Sequence, residues 1–227
     1  MISEGGNGMR DLSIAQEYMI CAVNTKGKIS GFSTEKLVCF IAAALLELQL
    51  ENCVKIDKKR VTVIDSLPEE KQYLKPLYDF LDQSKPVRLE KIVETYNYSM
   101  TDKKLNELFN SIGTSLNHIG LAKVVKTGIS GRRNAYIPTA EAVHYVIDMI
   151  RAELLENVEI TEDIASLVIL LEKSKTLKVY FSKYEQNEIK KKIREITNSD
   201  TGKMIKAMID YVENMIAVMS TFMVLYS

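Results

Sequence analysis

The chain has 227 residues, with 30 Lys+Arg balanced by 30 Asp+Glu, 46% apolar residues, and only four prolines and ten glycines. That balance excludes a protein held to nucleic acid by overall charge, although a local basic patch remains able to act. The composition is too apolar and too poor in Pro and Gly for a disordered or collagenous chain, and the length suffices to bury a core without a disulfide or metal staple.

Residues 1–11 are Gly-rich and polar, which predicts a flexible N-terminus, and they carry no signal-peptide core. Leu12 to Val23 reads as a short helix with Ser13 as its cap, followed by a loop from Asn24 to Gly31 punctuated by Gly27 and Gly31. Ser33 or Thr34 then caps a helix from Glu35 to about Leu50. Its body, LVCFIAAALLELQL, is apolar on nearly every face and belongs in the centre of a fold. Glu47 is the acid inside that run, so it must be paired, hydrogen-bonded or protonated, and a structural pair or helix-end contact is expected. CVKIDKKRVTVID predicts a hairpin that faces Val54 and Ile56 with Val61 and Val63 or with neighbours of theirs.

Pro68 starts a helical stretch through Leu81, Pro86 marks a boundary, and Val87 to Tyr96 is expected as a short helix. From Thr101 the next helix carries Leu105, Leu108, Phe109, Ile112, Leu116 and Ile119 as one apolar stripe, with Gly120 as its C-cap. A second hairpin follows, with strands at Leu121–Lys126 and Ala135–Pro138 and with Gly128 and Gly131 in the connection. Helix, helix and hairpin in that order make a winged-helix-like unit. Beyond Pro138 the chain is expected to be nearly all helix: from Thr139 or Ala140 to about Leu155, Thr161 to about Leu171, Tyr184 to Ile196, and Lys203 to Phe222 or beyond. The whole reads as a mainly α fold, residues 12–227 forming one domain with two small β-hairpins.

Groups for catalysis or metal binding are scarce. Cys21, Cys39 and Cys53 are an odd, widely spaced set that suits buried thiols in a reducing compartment. His118 and His144 read as structural, and no CxxC, HExxH, GxSxG, Walker or GxGxxG pattern occurs. No catalytic residue, metal or cofactor is therefore expected. Charge is more informative. Between Leu108 and Ala140 there is no acidic residue, whereas Lys123, Lys126, Arg132 and Arg133 all lie there. A positive hairpin suits an anionic partner; the competing reading is that its lysines only keep an edge strand from pairing. A second basic cluster, Lys183, Lys190, Lys191, Lys192 and Arg194, is diluted by Glu185, Glu188 and Glu195 and reads as a solvated helix face. The Met-rich last helix is expected as buried core, with a partner-subunit surface or a membrane contact as alternatives. No run of 18 apolar residues predicts a membrane span.

LSIAQEYMICAV, FIAAALLELQLENCVKI, SLNHIGLAKVVKTGISGRRNAYIPT and the C-terminal helices together resemble the Golgi phosphoprotein 3 (GPP34) family over about Leu12 to Phe222. The resemblance implies a mostly helical peripheral membrane protein. Its eukaryotic members bind phosphatidylinositol 4-phosphate in a basic pocket, dip an apolar hairpin into the bilayer and help retain glycosyltransferases. The short N-terminus makes this chain look more like the prokaryotic members. Carried over by Glu47 and Leu50, the pocket tryptophan falls on Phe32 and one arginine on Ile41. With Gly120 as anchor, the other two arginines fall on Asn106 and Phe109, so three cationic positions are lost. The tip, Ile129-Ser-Gly-Arg132-Arg133-Asn, offers one isoleucine and two arginines where the eukaryotic tip is strongly apolar.

The resulting expectation is a non-catalytic, adaptor-like protein, cytoplasmic and peripheral on the inner face of the cell membrane, that touches anionic lipid weakly. Its expected contacts are Phe32, Lys123, Lys126, Ile129, Arg132 and Arg133, with the eukaryotic phosphatidylinositol 4-phosphate pocket not retained. A winged-helix nucleic-acid-binding module and a protein-interaction scaffold built on the last helix are the alternatives. The nucleic-acid reading is weakened by the mild surface of Lys103, Lys104, Glu107, Asn110, Ser111, Ser115 and Asn117 on the would-be recognition helix.

Overall fold

The computed structural model describes residues 12–30, 33–57, 59–97, 102–128, 131–155, 160–197 and 203–226. Helix α1 (Ile14–Ala22) starts on a reciprocal cap: Ser13 Oγ accepts from the Gln16 N–H at 3.4 Å, and Gln16 Oε1 accepts from the Ser13 N–H at 3.2 Å. All nine of its residues are buried. Helix α2 (Thr34–Leu50) is buried without a break from Leu37 to Leu48, as its all-round apolar sequence requires. Ser33 occupies the cap position of α2, but its side chain makes no capping hydrogen bond.

These two helices pack on each other and on α7 (Glu162–Lys173), whose Thr161 hydroxyl accepts from the Ile164 N–H as predicted. Helix α10 (Lys203–Tyr226) covers another side of the core, against α2, α7, α4 (Leu89–Asn97) and α9 (Lys183–Thr197). Val212 and Met215 of α10 are fully buried, so this part of the Met-rich helix is core. The side chains of Met219 and Met223 lie outside those described.

The first hairpin, β1 (Val54–Asp57) and β2 (Arg60–Val63), forms as predicted, and its register sets Val54 opposite Val63 and Ile56 opposite Val61. The helix expected from Val87 begins two residues late. Val87–Arg88 forms a third strand, β3, with Val87 opposite Val61, and the Leu89 N–H is then taken by the Lys59 carbonyl as α4 begins. Burying Val87 on the sheet outweighed its place in the helical period. Residues 69–81 also divide: a 3₁₀ turn over Glu69–Leu74 gives way to α3 (Lys75–Leu81), because Pro76 lacks an N–H and suits the first turn of a new helix.

Helix α5 (Lys103–His118) ends as predicted at Gly120, whose φ of 79° lets the Leu121 N–H reach back to the Leu116 carbonyl. The second hairpin, β4 (Ala122–Thr127) and β5 (Arg133–Pro138), lies against α5. Helix α6 (Ala140–Leu155) follows, and a short α8 (Leu177–Tyr180) joins α7 to α9. The fold is thus mainly helical, with two small antiparallel sheets.

Two acids sit inside this core. Glu47, 3% exposed, accepts from the Ala15 N–H at 3.1 Å, from Lys71 Nζ at 3.3 Å and from the Tyr73 hydroxyl. It therefore ties α2 to the N-terminus of α1 and to the 3₁₀ turn, the pair and helix-end contact the sequence predicts. Burial opposes the Lys71 charge, but Glu47 and Glu51, the latter at 2.7 Å, together hold its pKa above the ordinary value. Glu17, 4% exposed, faces acids on three neighbouring helices instead. Burial first, then Asp163, Glu47 and Glu153, push its pKa up to about 8.

Folding therefore draws a proton onto Glu17 between its ordinary pKa of 4.5 and about 8, and stability through this group falls as pH rises across that window. In urea unfolding, Glu17→Gln should gain roughly 3–5 kcal/mol relative to the wild type between pH 5 and pH 9. A difference that does not change with pH would show that Glu17 is not the proton acceptor.

Candidate functional site

The site is built on Tyr136 of β5. Its ring lies against Gly113 of α5, where an added Cβ would come within 2.3 Å of the ring, and it meets the Phe109 ring edge to face with centroids 5.8 Å apart. The Tyr136 hydroxyl lies 3.0 Å from Thr114 Oγ1 and 3.3 Å from the Asn110 carbonyl, while Asn134 Nδ2 donates to it at 3.3 Å. On the other side, the Tyr136 N–H donates to the Gly27 carbonyl at 2.9 Å. Gly27 has a φ of 68°, and a Cβ there would lie 2.7 Å from the Tyr136 backbone, so only glycine lets the loop after α1 approach β5 this closely. Asn24 holds that loop closed, its Oδ1 accepting from the backbone of Lys26 and Lys28.

Loop, helix and hairpin together enclose a cleft of about 620 Å³. Phe109, Leu105, Leu37 and Ile29 supply its apolar lining, and Asn24, Asn106, Asn110 and Asn134 supply amides. Three cations, Lys28, Arg132 and Arg133, face one carboxylate, Asp102. Arg132 and Arg133 are exposed, and neither is ion-paired among the described residues. The Asp102 backbone has a φ of 48°, and its carbonyl accepts from Asn106 Nδ2 at 2.8 Å.

A comparison with known protein families matches residues 14–213 to Golgi phosphoprotein 3 (GPP34). The chain belongs to the Golgi phosphoprotein 3 family. No curated protein matches it. No helix among the described residues is long and apolar enough to cross a membrane, so this GPP34 domain contains no spanning helix there.

Of the family pocket positions, Asn106 and Phe109 line the cleft. Ile41 does not: it is fully buried in α2, where an apolar side chain fits and a charged one would be left without water. Phe32 and Ile129 lie outside the described residues. Arg132 and Arg133 reach the cleft, whereas Lys123 and Lys126 lie exposed on β4 and do not line it; Lys126 Nζ donates to Asn134 Oδ1 at 2.9 Å. Lys28 is the cation that sequence reasoning missed. Its signal was local, a lysine beside the glycine that must touch the hairpin.

The three cysteines are free and buried, with burial raising the Cys21, Cys39 and Cys53 thiols above their ordinary pKa. No cluster of three or more His, Cys, Asp or Glu side chains among the described residues could hold a metal. His118 and His144 are exposed at the surface. The α5 side carrying Glu107, Asn110, Ser111 and Ser115 fronts a shallow groove shared with Gln72, Tyr73 and Pro76.

Because the Gly113 site has no room for a methyl group, Gly113→Ala should lose about 1–3 kcal/mol in urea unfolding despite its better helix propensity. A gain in stability would show that the Tyr136 ring does not rest on α5.

Proposed function

We propose that this GPP34 domain is a non-catalytic, peripheral membrane protein that takes an anionic lipid headgroup into the cleft between the α1–α2 loop, α5 and the second hairpin. The observation that carries this is the convergence of Lys28, Arg132 and Arg133 on one cleft beside Asn106 and Phe109. The family's three cationic pocket positions are lost here, while Lys28 from the loop and Arg132 and Arg133 from the second hairpin line the cleft beside Asn106 and Phe109. The contact is therefore relocated, and the eukaryotic phosphatidylinositol 4-phosphate geometry is not reproduced. Phosphate oxygens suit the guanidinium groups, and headgroup hydroxyls suit the asparagine amides. Exposed Val124 and Val125 on β4, flanked by Lys123 and Lys126, give the hairpin an apolar and basic flank for the lipid surface.

Binding of this kind is weak and reversible, since each basic residue near an anionic surface contributes about 1 kcal/mol. It also weakens with salt. Residence on the inner face of a cell membrane and an adaptor role follow from this reading.

Arg132→Glu/Arg133→Glu should lower sedimentation with phosphatidylserine-containing vesicles by more than about 30-fold while leaving the melting temperature unchanged, both residues being exposed. Unchanged sedimentation would remove the cleft from lipid binding. Adding a phosphoinositide at matched total charge separates the two sources of phosphate: tighter binding places the headgroup in the cleft, and equal binding leaves only surface attraction.

A further inference from the structure

Two of the most exposed large apolar side chains among the described residues are Tyr184, 73% exposed, and Val179, 63% exposed. They stand five residues apart on the α8–α9 turn. The segment around them, KSKTLKVYFSKY over residues 173–184, has four lysines and no acid. Lys173 pairs with Glu213 and Lys175 with Glu35, but Lys178 and Lys183 are exposed and have no ion pair among the described residues. An exposed valine and tyrosine, each directly following an exposed lysine that has no ion pair among the described residues, combine the chemistry of a bilayer headgroup layer: an amphipathic ring, an aliphatic contact and cations for lipid phosphate.

The position of this turn is as telling as its composition. Lys175 Nζ reaches Glu35 in the first turn of α2 at 2.6 Å, and the Tyr180 hydroxyl donates to the Cys21 carbonyl at the end of α1 at 3.0 Å. Lys36, next in α2, donates to the Ala22 carbonyl. The α1–α2 loop that leaves and enters these same helix ends lines the cleft through Asn24, Lys28 and Ser30, and Leu37 of α2 lines it too. The α8–α9 turn and the cleft therefore lie at one end of the molecule, joined through the ends of α1 and α2.

We propose that the α8–α9 turn is a second membrane contact, in which Val179 and Tyr184 enter the headgroup layer of an anionic bilayer while Lys178 and Lys183 pair with lipid phosphate. This rests on the reading of the cleft as a lipid site and supplies the second attachment that one weak site lacks. A second copy of the chain is the poorer occupant, because a two-fold contact here would bring Lys178 and Lys183 of both copies together.

The chain has no tryptophan, so Tyr184→Trp places a single reporter on the patch. With mixed phosphatidylcholine–phosphatidylserine vesicles its emission should move to the blue and be quenched by brominated acyl chains; with phosphatidylcholine alone it should not. Val179→Ser/Tyr184→Ala should lower the partition coefficient about tenfold, both side chains being exposed and outside the core. If the protein sediments through Arg132 and Arg133 but the Tyr184→Trp emission is unchanged, the second contact is overturned and the cleft reading stands. If no vesicle is bound by the wild-type protein, both fall. If the double variant breaks a dimer seen by light scattering and leaves vesicle binding intact, the turn is a self-contact and the proposal is overturned.

Discussion

A carboxyl group inside the most apolar helix of the chain is tolerated only if donors surround it, and Glu47 has three of them. It accepts from the backbone at the start of α1, from Lys71 and from the Tyr73 hydroxyl, so one residue fixes three segments at once. Removing Lys71 would leave the buried Glu47 carboxyl without its cation, which is costlier than the pair itself is favourable. The contact ties α1 and the 3₁₀ turn to α2. It sets how far α1 slides along α2, and so where the loop between them emerges.

That loop is the link from core to surface. With α1 held by Glu47 at one end, the chain leaves α1 at Val23 and Asn24 and must lay Gly27 on the backbone of Tyr136. Tyr136 in turn rests on Gly113 and bonds to α5. Two glycines at close approaches therefore clamp a hairpin, a helix and a loop around one cleft. A surface assembled from three separate segments keeps its shape only because each is anchored in the core.

In this GPP34 domain the cleft is lined by Lys28 from the loop and by Arg132 and Arg133 from the second hairpin. Electrostatic attraction depends on where cations stand, and not on which segment carries them. Ile41 shows the other half of the constraint. Once that position turns inward in α2, an arginine there would lose its water without gaining a partner, and an apolar residue packs instead. Lys28 lies in the α1–α2 loop, Arg132 just before β5 and Arg133 at its first position, all outside the buried core.

Much of the architecture was legible in the linear pattern. The all-round apolar run of α2 marked it as central, the caps at Ser13, Thr161 and Gly120 marked their helix ends, and alternating valines set the first hairpin's register. The acid-free stretch around Arg132 and Arg133 marked a positive surface, and Glu47 announced a buried partner. These are local properties, since periodicity, capping and charge runs act over a few residues. Strand β3 and the split at Pro76 were not legible, because pairing with Val61 and the choice between 3₁₀ and α geometry depend on what lies alongside. The same holds for the joining of Lys28 to Arg132 and Arg133, for the acids that crowd Glu17, and for the common end shared by the cleft and the α8–α9 turn. Each is a meeting of residues far apart in the chain, and only packing in three dimensions decides which of them meet.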